Sequence, residues 1–118
     1  MLGDITVAEN IYIAVGYTDM RKSIDGLAAI VQEKFQRSPY ESAIFVFCGR
    51  KCDRIKVLMW EETGFVLLYK RLENGKFRWP RSEAELKPIS RQQFDWLMSG
   101  LYVEQCLSIR PAERAALC

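Results

Sequence analysis

The side chains able to do chemistry are unevenly supplied in this chain. There is no histidine among its 118 residues. That removes the commonest general base, every Ser-His or Cys-His nucleophile pair, and the phosphodiester-cleaving metal sites that use imidazole. Four cysteines are present, Cys48, Cys52, Cys106 and Cys118. Cys48 and Cys52 could supply half a zinc site, but the other two are too far apart to supply the second half. Reduced, metal-free thiols are expected, since a chain of this length can bury a core without staples and nothing in it points to export. Carboxylates remain: Asp19, Asp25, Asp53, Glu61 and Glu62 could hold magnesium through oxygen. Their spacing converges on no site, and solvated surface charge fits them better. No catalytic residue, metal or cofactor is assigned, and a non-enzymatic role is expected.

What the chain has in surplus is positive charge in one stretch. Net charge is only +2, yet residues 50–81 hold nine Lys or Arg against four Asp or Glu, and the remainder holds eight against eleven. The net charge is too small to announce a nucleic-acid binder, but the middle of the chain is its basic part.

The elements that must position those charges follow from pattern. With 49% hydrophobic and 12% aromatic residues, residues 1–118 suit one globular domain with a real core. No apolar run reaches the roughly 20 residues of a membrane span, and the first residues lack a secretory pattern, so a cytoplasmic protein without membrane contact is expected. "IYIAV" (residues 11–15) reads as a short buried strand. A helix follows to about Gln36, capped by Thr18 or Asp19. Its apolar stripe is Met20, Ile24, Leu27, Ala28, Val31 and Phe35, and Ser38-Pro39 ends it. "AIFVF" (residues 43–47) reads as a central strand covered on both faces. "RIKVLMW", "FVLLYKRL" and "KFRWP" follow as strands, the last two joined by an Asn74-Gly75 hairpin turn. Ser90 and Gln93 form a capping box for a helix that Gly100 closes. Residues 101–118 are a poorly patterned tail. The expected fold is α+β: an antiparallel meander of four to five strands with two helices on one face.

Counting along the pleat separates two faces. A two-residue Asn74-Gly75 loop sets Arg71 opposite Arg78. A loop at residues 61–64 sets Trp60 opposite Phe65, Leu58 opposite Leu67, Lys56 opposite Tyr69 and Arg54 opposite Arg71. Ile55, Val57, Met59, Val66, Leu68, Leu72, Phe77 and Trp79 then share the core face, with Lys70 the exception. The other face carries Arg54, Lys56, Tyr69, Arg71, Lys76 and Arg78 at one end, with Arg50 and Lys51 in the adjoining loop. Aligned like charges destabilise a sheet, so this cluster calls for a compensating polyanion or for local acids. The basic set is the candidate nucleic-acid site. Leu58, Trp60, Phe65 and Leu67, at the far end of the same face, are too hydrophobic for free solvent and call for a covering segment or a protein partner.

Three segments together carry a family resemblance: "GYTDMRKSIDGLAAIV", "FVFCGRKCDRIKVLMWEETGFVLLYKRLENGKFRWP" and the pattern S-x-x-Q-x-x-W-L-x-x-G. Over about residues 4–101 they resemble the small accessory protein of the sixty-six family of bacterial insertion sequences, labelled TnpB or Orf-two-like. The larger RNA-guided nuclease that shares the TnpB label is a different protein. The resemblance implies an element-encoded helper for transposition, with a separate transposase supplying the cutting and joining chemistry. Expected partners are therefore the transposase and, from the basic face, element DNA. A module that binds the transposase without touching DNA is the alternative.

Overall fold

The computed structural model describes residues 10–104. Cys106, Cys118 and most of the expected tail lie outside the described residues. In chain order the elements are β1 (Asn10–Ala14), α1 (Ile24–Ala29), β2 (Ala43–Cys48), β3 (Arg54–Glu61), β4 (Gly64–Arg71), β5 (Leu86–Ile89) and α2 (Arg91–Met98). A wider π-helical turn, Ile30–Lys34, extends α1. The strands form one five-stranded sheet in the order β4-β3-β2-β1-β5.

The fold is α+β as expected, with a mixed sheet. β1 and β2 are parallel, and the other three pairs are antiparallel. Parallel neighbours need a crossover rather than a hairpin, and α1 supplies it. β2 lies at the centre and all six of its residues are buried. With apolar side chains on both faces it needs two covers, and the helices divide the task instead of sharing one side. Leu27 and Val31, from α1 and its extension, pack with Tyr12, Phe45, Phe47 and Leu58 on one face. Phe94 and Leu97 of α2 pack with Ile13, Val46, Val57, Phe77 and Trp79 on the other. From Ile24 to Val31 the stripe is the expected one, with Ile24 and Ala28 joining the first of these clusters, while Met20 and Phe35 join it from outside the helical segment.

The β3–β4 register is also the expected one: Trp60 opposes Phe65, Leu58 opposes Leu67, Lys56 opposes Tyr69, and Arg54 opposes Arg71. Ser90 accepts from the Gln93 backbone N–H at 3.1 Å while the Gln93 side chain accepts from the Ser90 N–H at 2.8 Å, which completes the capping box of α2.

Three local expectations are corrected. Helical hydrogen bonds of α1 begin with the Leu27 N–H donating to Ser23 at 2.9 Å, so Ser23 stands at the N-cap. Asp19 instead accepts from the Arg21 backbone and guanidinium. The "KFRWP" strand and its type I′ turn do not form: Gly75 has a left-handed φ of 81°, but Asn74 is not among the described non-glycine residues with positive φ, and a type I′ turn needs both. The Leu72 and Phe77 N–H groups donate to the carbonyls of Asp53 and Cys52, each at 2.7 Å. The chain thus crosses the end of the sheet to reach β1. The strand that pairs there is β5, whose Pro88 is tolerated because β5 is an edge strand.

Candidate nucleic-acid interface

Three loops converge at one end of the sheet. Because β1 and β2 are parallel, their C-terminal ends open on the same side, the place where ligands gather in sheets of this kind. The first loop leaves β1 through Gly16 and Tyr17. The second, residues 49–53, turns sharply into β3: the Cys52 N–H donates to Gly49 at 2.9 Å, and Cys52 adopts a left-handed φ of 59°. Gly49 has no room for a side chain, since a Cβ would lie 2.6 Å from Met20 Cγ. In this tight turn Gly49 is buried, while Arg50 and Lys51 are turned outward and exposed.

The third loop is the crossing segment after β4. It pairs as no strand, yet burial alternates along it. Phe77 and Trp79 point into the core, while Lys76 and Arg78 point out. Hydrogen bonds stitch it down at both ends, from Phe77 N–H to Cys52 O at 2.7 Å and from Gly16 N–H to Pro80 O at 2.9 Å.

Between these loops lies a groove of about 580 Å³. It is lined by five cationic side chains, Arg50, Lys51, Lys76, Arg78 and Arg81, with Tyr17 and Tyr102 beside them and no carboxylate among its lining residues. Among the described residues none of the five cations is held in an ion pair. The two arginines that have partners have tyrosines. Arg78 donates to the Tyr102 hydroxyl at 3.2 Å with its guanidinium 4.9 Å from the ring centre. Arg81 donates to the Tyr17 hydroxyl at 2.9 Å and lies 5.9 Å from that ring. These contacts orient the guanidinium groups without neutralising them, so the groove keeps a strong positive field.

An adjoining hollow of about 450 Å³ shares Tyr17, Arg50 and Lys51 and adds Asp19, Arg21, Asp53 and Arg54. The four charges it adds are matched in two pairs, while Arg50 and Lys51 remain in excess. Arg21 and Asp19 meet at 2.8 Å, and hydrogen bonds from the Arg21 side chain and backbone hold the Asp19 carboxyl well below the usual carboxylate range. Arg54 and Asp53 approach to 3.7 Å.

The eight expected contact residues therefore divide. Arg50, Lys51, Lys76 and Arg78 line the groove, and Arg54 lines the adjoining hollow. Lys56, Tyr69 and Arg71 stay on the outer face of β3 and β4. There Lys56 donates to the Lys22 carbonyl at 2.8 Å and Arg71 pairs with Glu73 at 3.1 Å. Arg71 and Arg78 do not face each other. Tyr17, Arg81 and Tyr102 are additions, brought in by loop convergence. The one available signal was that "GYTD" follows the expected strand at residues 11–15; Arg81 follows a strand that does not form, and Tyr102 lies in the expected tail.

The apolar end of the same face is mostly covered. Leu58 is fully buried beneath α1 and is core, so it is removed from the candidate partner surface. Leu67 is half-buried in the same cluster. What remains is an aromatic group in which Tyr40, 54% exposed, lies 5.0 Å from Trp60 and 5.4 Å from Phe65.

Among the described residues no three His, Cys, Asp or Glu gather where a metal could be held. No described helix is long and apolar enough to cross a membrane. The family model of the IS66 Orf2 like protein matches residues 9–107. The chain belongs to the IS66 Orf2-like family. It is also similar to two uncharacterized proteins of Sinorhizobium fredii. Identity to y4hO is 40% over 91 residues, covering 77% of this chain and 79% of that protein. Identity to y4jC is 35% over 91 residues, covering 77% and 78%. No solved structure matches. IS66 Orf2-like membership associates the chain with transposition of an insertion sequence, in an accessory role.

Proposed function

We propose that this chain is a non-catalytic accessory factor in transposition that binds DNA of its element in the groove at the sheet end and assists a separate transposase. The observation that carries this reading is the concentration of Arg50, Lys51, Lys76, Arg78 and Arg81 around one groove that no carboxylate lines. Five like charges held close together repel one another, and a phosphate backbone relieves that repulsion while releasing its own counterions. The aromatic group of Tyr40, Trp60 and Phe65 lies near the far end of β3 and is the proposed contact with the transposase. A strand of eight residues, about 24 Å end to end, separates the two surfaces, enough for both to be occupied together.

The test is a titration of labelled DNA with the purified protein at several salt concentrations. Binding with a log affinity that falls linearly against log salt supports the reading. Absence of binding at low salt, with co-elution of protein and transposase intact, replaces it by a module that meets an acidic surface of the transposase.

A further inference from the structure

We infer that the groove accepts an unpaired DNA strand, with bases stacked on Tyr17 and Tyr102 and phosphates on the surrounding cations. This rests on the DNA-binding reading above and adds strandedness to it. Three observations carry it. The first is shape: a concavity of about 580 Å³ is the size of a small-ligand pocket and admits one nucleotide unit. The convex surface of a duplex would span its rim. The second is the alternation of rings and charge. Tyr17 and Tyr102 are 36% and 59% exposed, although large apolar rings are normally hidden, and each lies beside a guanidinium group. Aromatic platforms interleaved with cations are the means by which single strands are held without sequence preference. Trp79 and Phe77 take no part in stacking, because both are buried.

The third observation concerns the helices. Duplex DNA is commonly read by a helix laid in the major groove. Here the exposed residues of α1 and its extension include Asp25, Gln32, Glu33 and Lys34, and those of α2 include Arg91, Gln92 and Asp95. Neither helix presents a basic stripe. A strand leaving the groove past Tyr17 would instead continue over Arg50 and Lys51 into the adjoining hollow, which shares all three residues.

Fluorescence anisotropy with three probes tests this: oligodeoxythymidine of roughly 12 nucleotides, a duplex of the same length, and an abasic strand of that length which keeps the phosphates. The thymidine strand is expected to bind at least about tenfold tighter than the other two, and the abasic strand to keep the same salt slope. Tyr17→Leu and Tyr102→Leu should each weaken thymidine binding by about fivefold or more but abasic binding by no more than about twofold, because each removes a hydroxyl that orients Arg81 or Arg78 and no charge, while urea denaturation reports that the variants are folded. Tyr17→Phe keeps the ring and should stay within about twofold. A duplex bound as tightly as the thymidine strand, or an abasic strand bound equally well, overturns the single-strand inference and leaves DNA binding standing. If no probe binds, the DNA reading itself fails.

Discussion

Trp79 donates its indole N–H to the main-chain oxygen of Ala14 across 2.9 Å, and so ties the loop bearing Arg78 and Arg81 to the end of β1. Both ends of this contact are buried. Trp79→Phe retains most of the apolar volume but leaves the Ala14 carbonyl without that donor, an omission that costs about 1–3 kcal/mol. Urea denaturation should show a loss in that range. DNA affinity per folded molecule should fall as well, because the groove's third wall loses its anchor.

Arg71 supplies the control. It is 54% exposed beside a Glu73 that is 74% exposed, and so forms an ion pair of the kind worth at most about 1 kcal/mol. Arg71→Gln should leave the salt slope of DNA binding unchanged, although the residue lies only seven positions from Arg78. A flatter slope for this variant would move the contact surface back to the outer face of the sheet.

The difference between these two arginines marks what could be read from sequence. Alternation along a strand is local, so the β3–β4 register, the core face holding Val57, Phe77 and Trp79, and the outward direction of Lys76 and Arg78 were legible, whereas the second core around Leu58 was not. The groove was not. It forms where chain ends separated by many residues meet, as when Arg81 reaches the Tyr17 hydroxyl across a sequence separation of 64. The assumed hairpin at Asn74-Gly75 failed because the Leu72 and Phe77 N–H groups found the Asp53 and Cys52 carbonyls, a long-range competition that no turn propensity contains. β5 went unread because Pro88 argues against a strand unless its edge position is already known. The division of α1 and α2 between opposite faces follows from β1 and β2 being parallel, and the run of short strands concealed that.

The aromatic group at the other end gives a separable outcome. Tyr40 is 54% exposed and touches Trp60 and Phe65 edge-on or tilted. Replacing exposed Tyr40 with Ser should change stability by no more than about 1 kcal/mol. It should abolish co-elution with the transposase while leaving DNA affinity as it was. Loss of DNA binding in this variant would mean that the two surfaces are not independent.

Cys48 should be silent toward thiol reagents. It is fully buried in the core, and burial, followed by the neighbouring Cys52 and Asp53, raises its pKa above the ordinary thiol value. Mass mapping after alkylation of the native protein at pH 8 should find Cys48 unmodified until denaturant is added. The sign for stability follows. The folded state keeps the Cys48 proton to higher pH than the unfolded chain does, so its contribution is fully present below the unfolded thiol value of 9.0 and is lost as pH rises above it. Denaturation midpoints should therefore fall on the alkaline side.

The most direct measurement is the salt dependence of DNA binding by the double variant Arg78→Gln/Arg81→Gln. Both arginines are exposed, neither is in an ion pair among the described residues, and their tyrosine partners are at the surface. Stability should change by no more than about 1 kcal/mol. The slope of log affinity against log salt should shrink by about 1.4 on a single strand, or about 1.8 on a duplex, because two phosphates are no longer neutralised. Affinity and slope both equal to those of the unaltered protein would contradict the assignment of the groove as the DNA-binding surface.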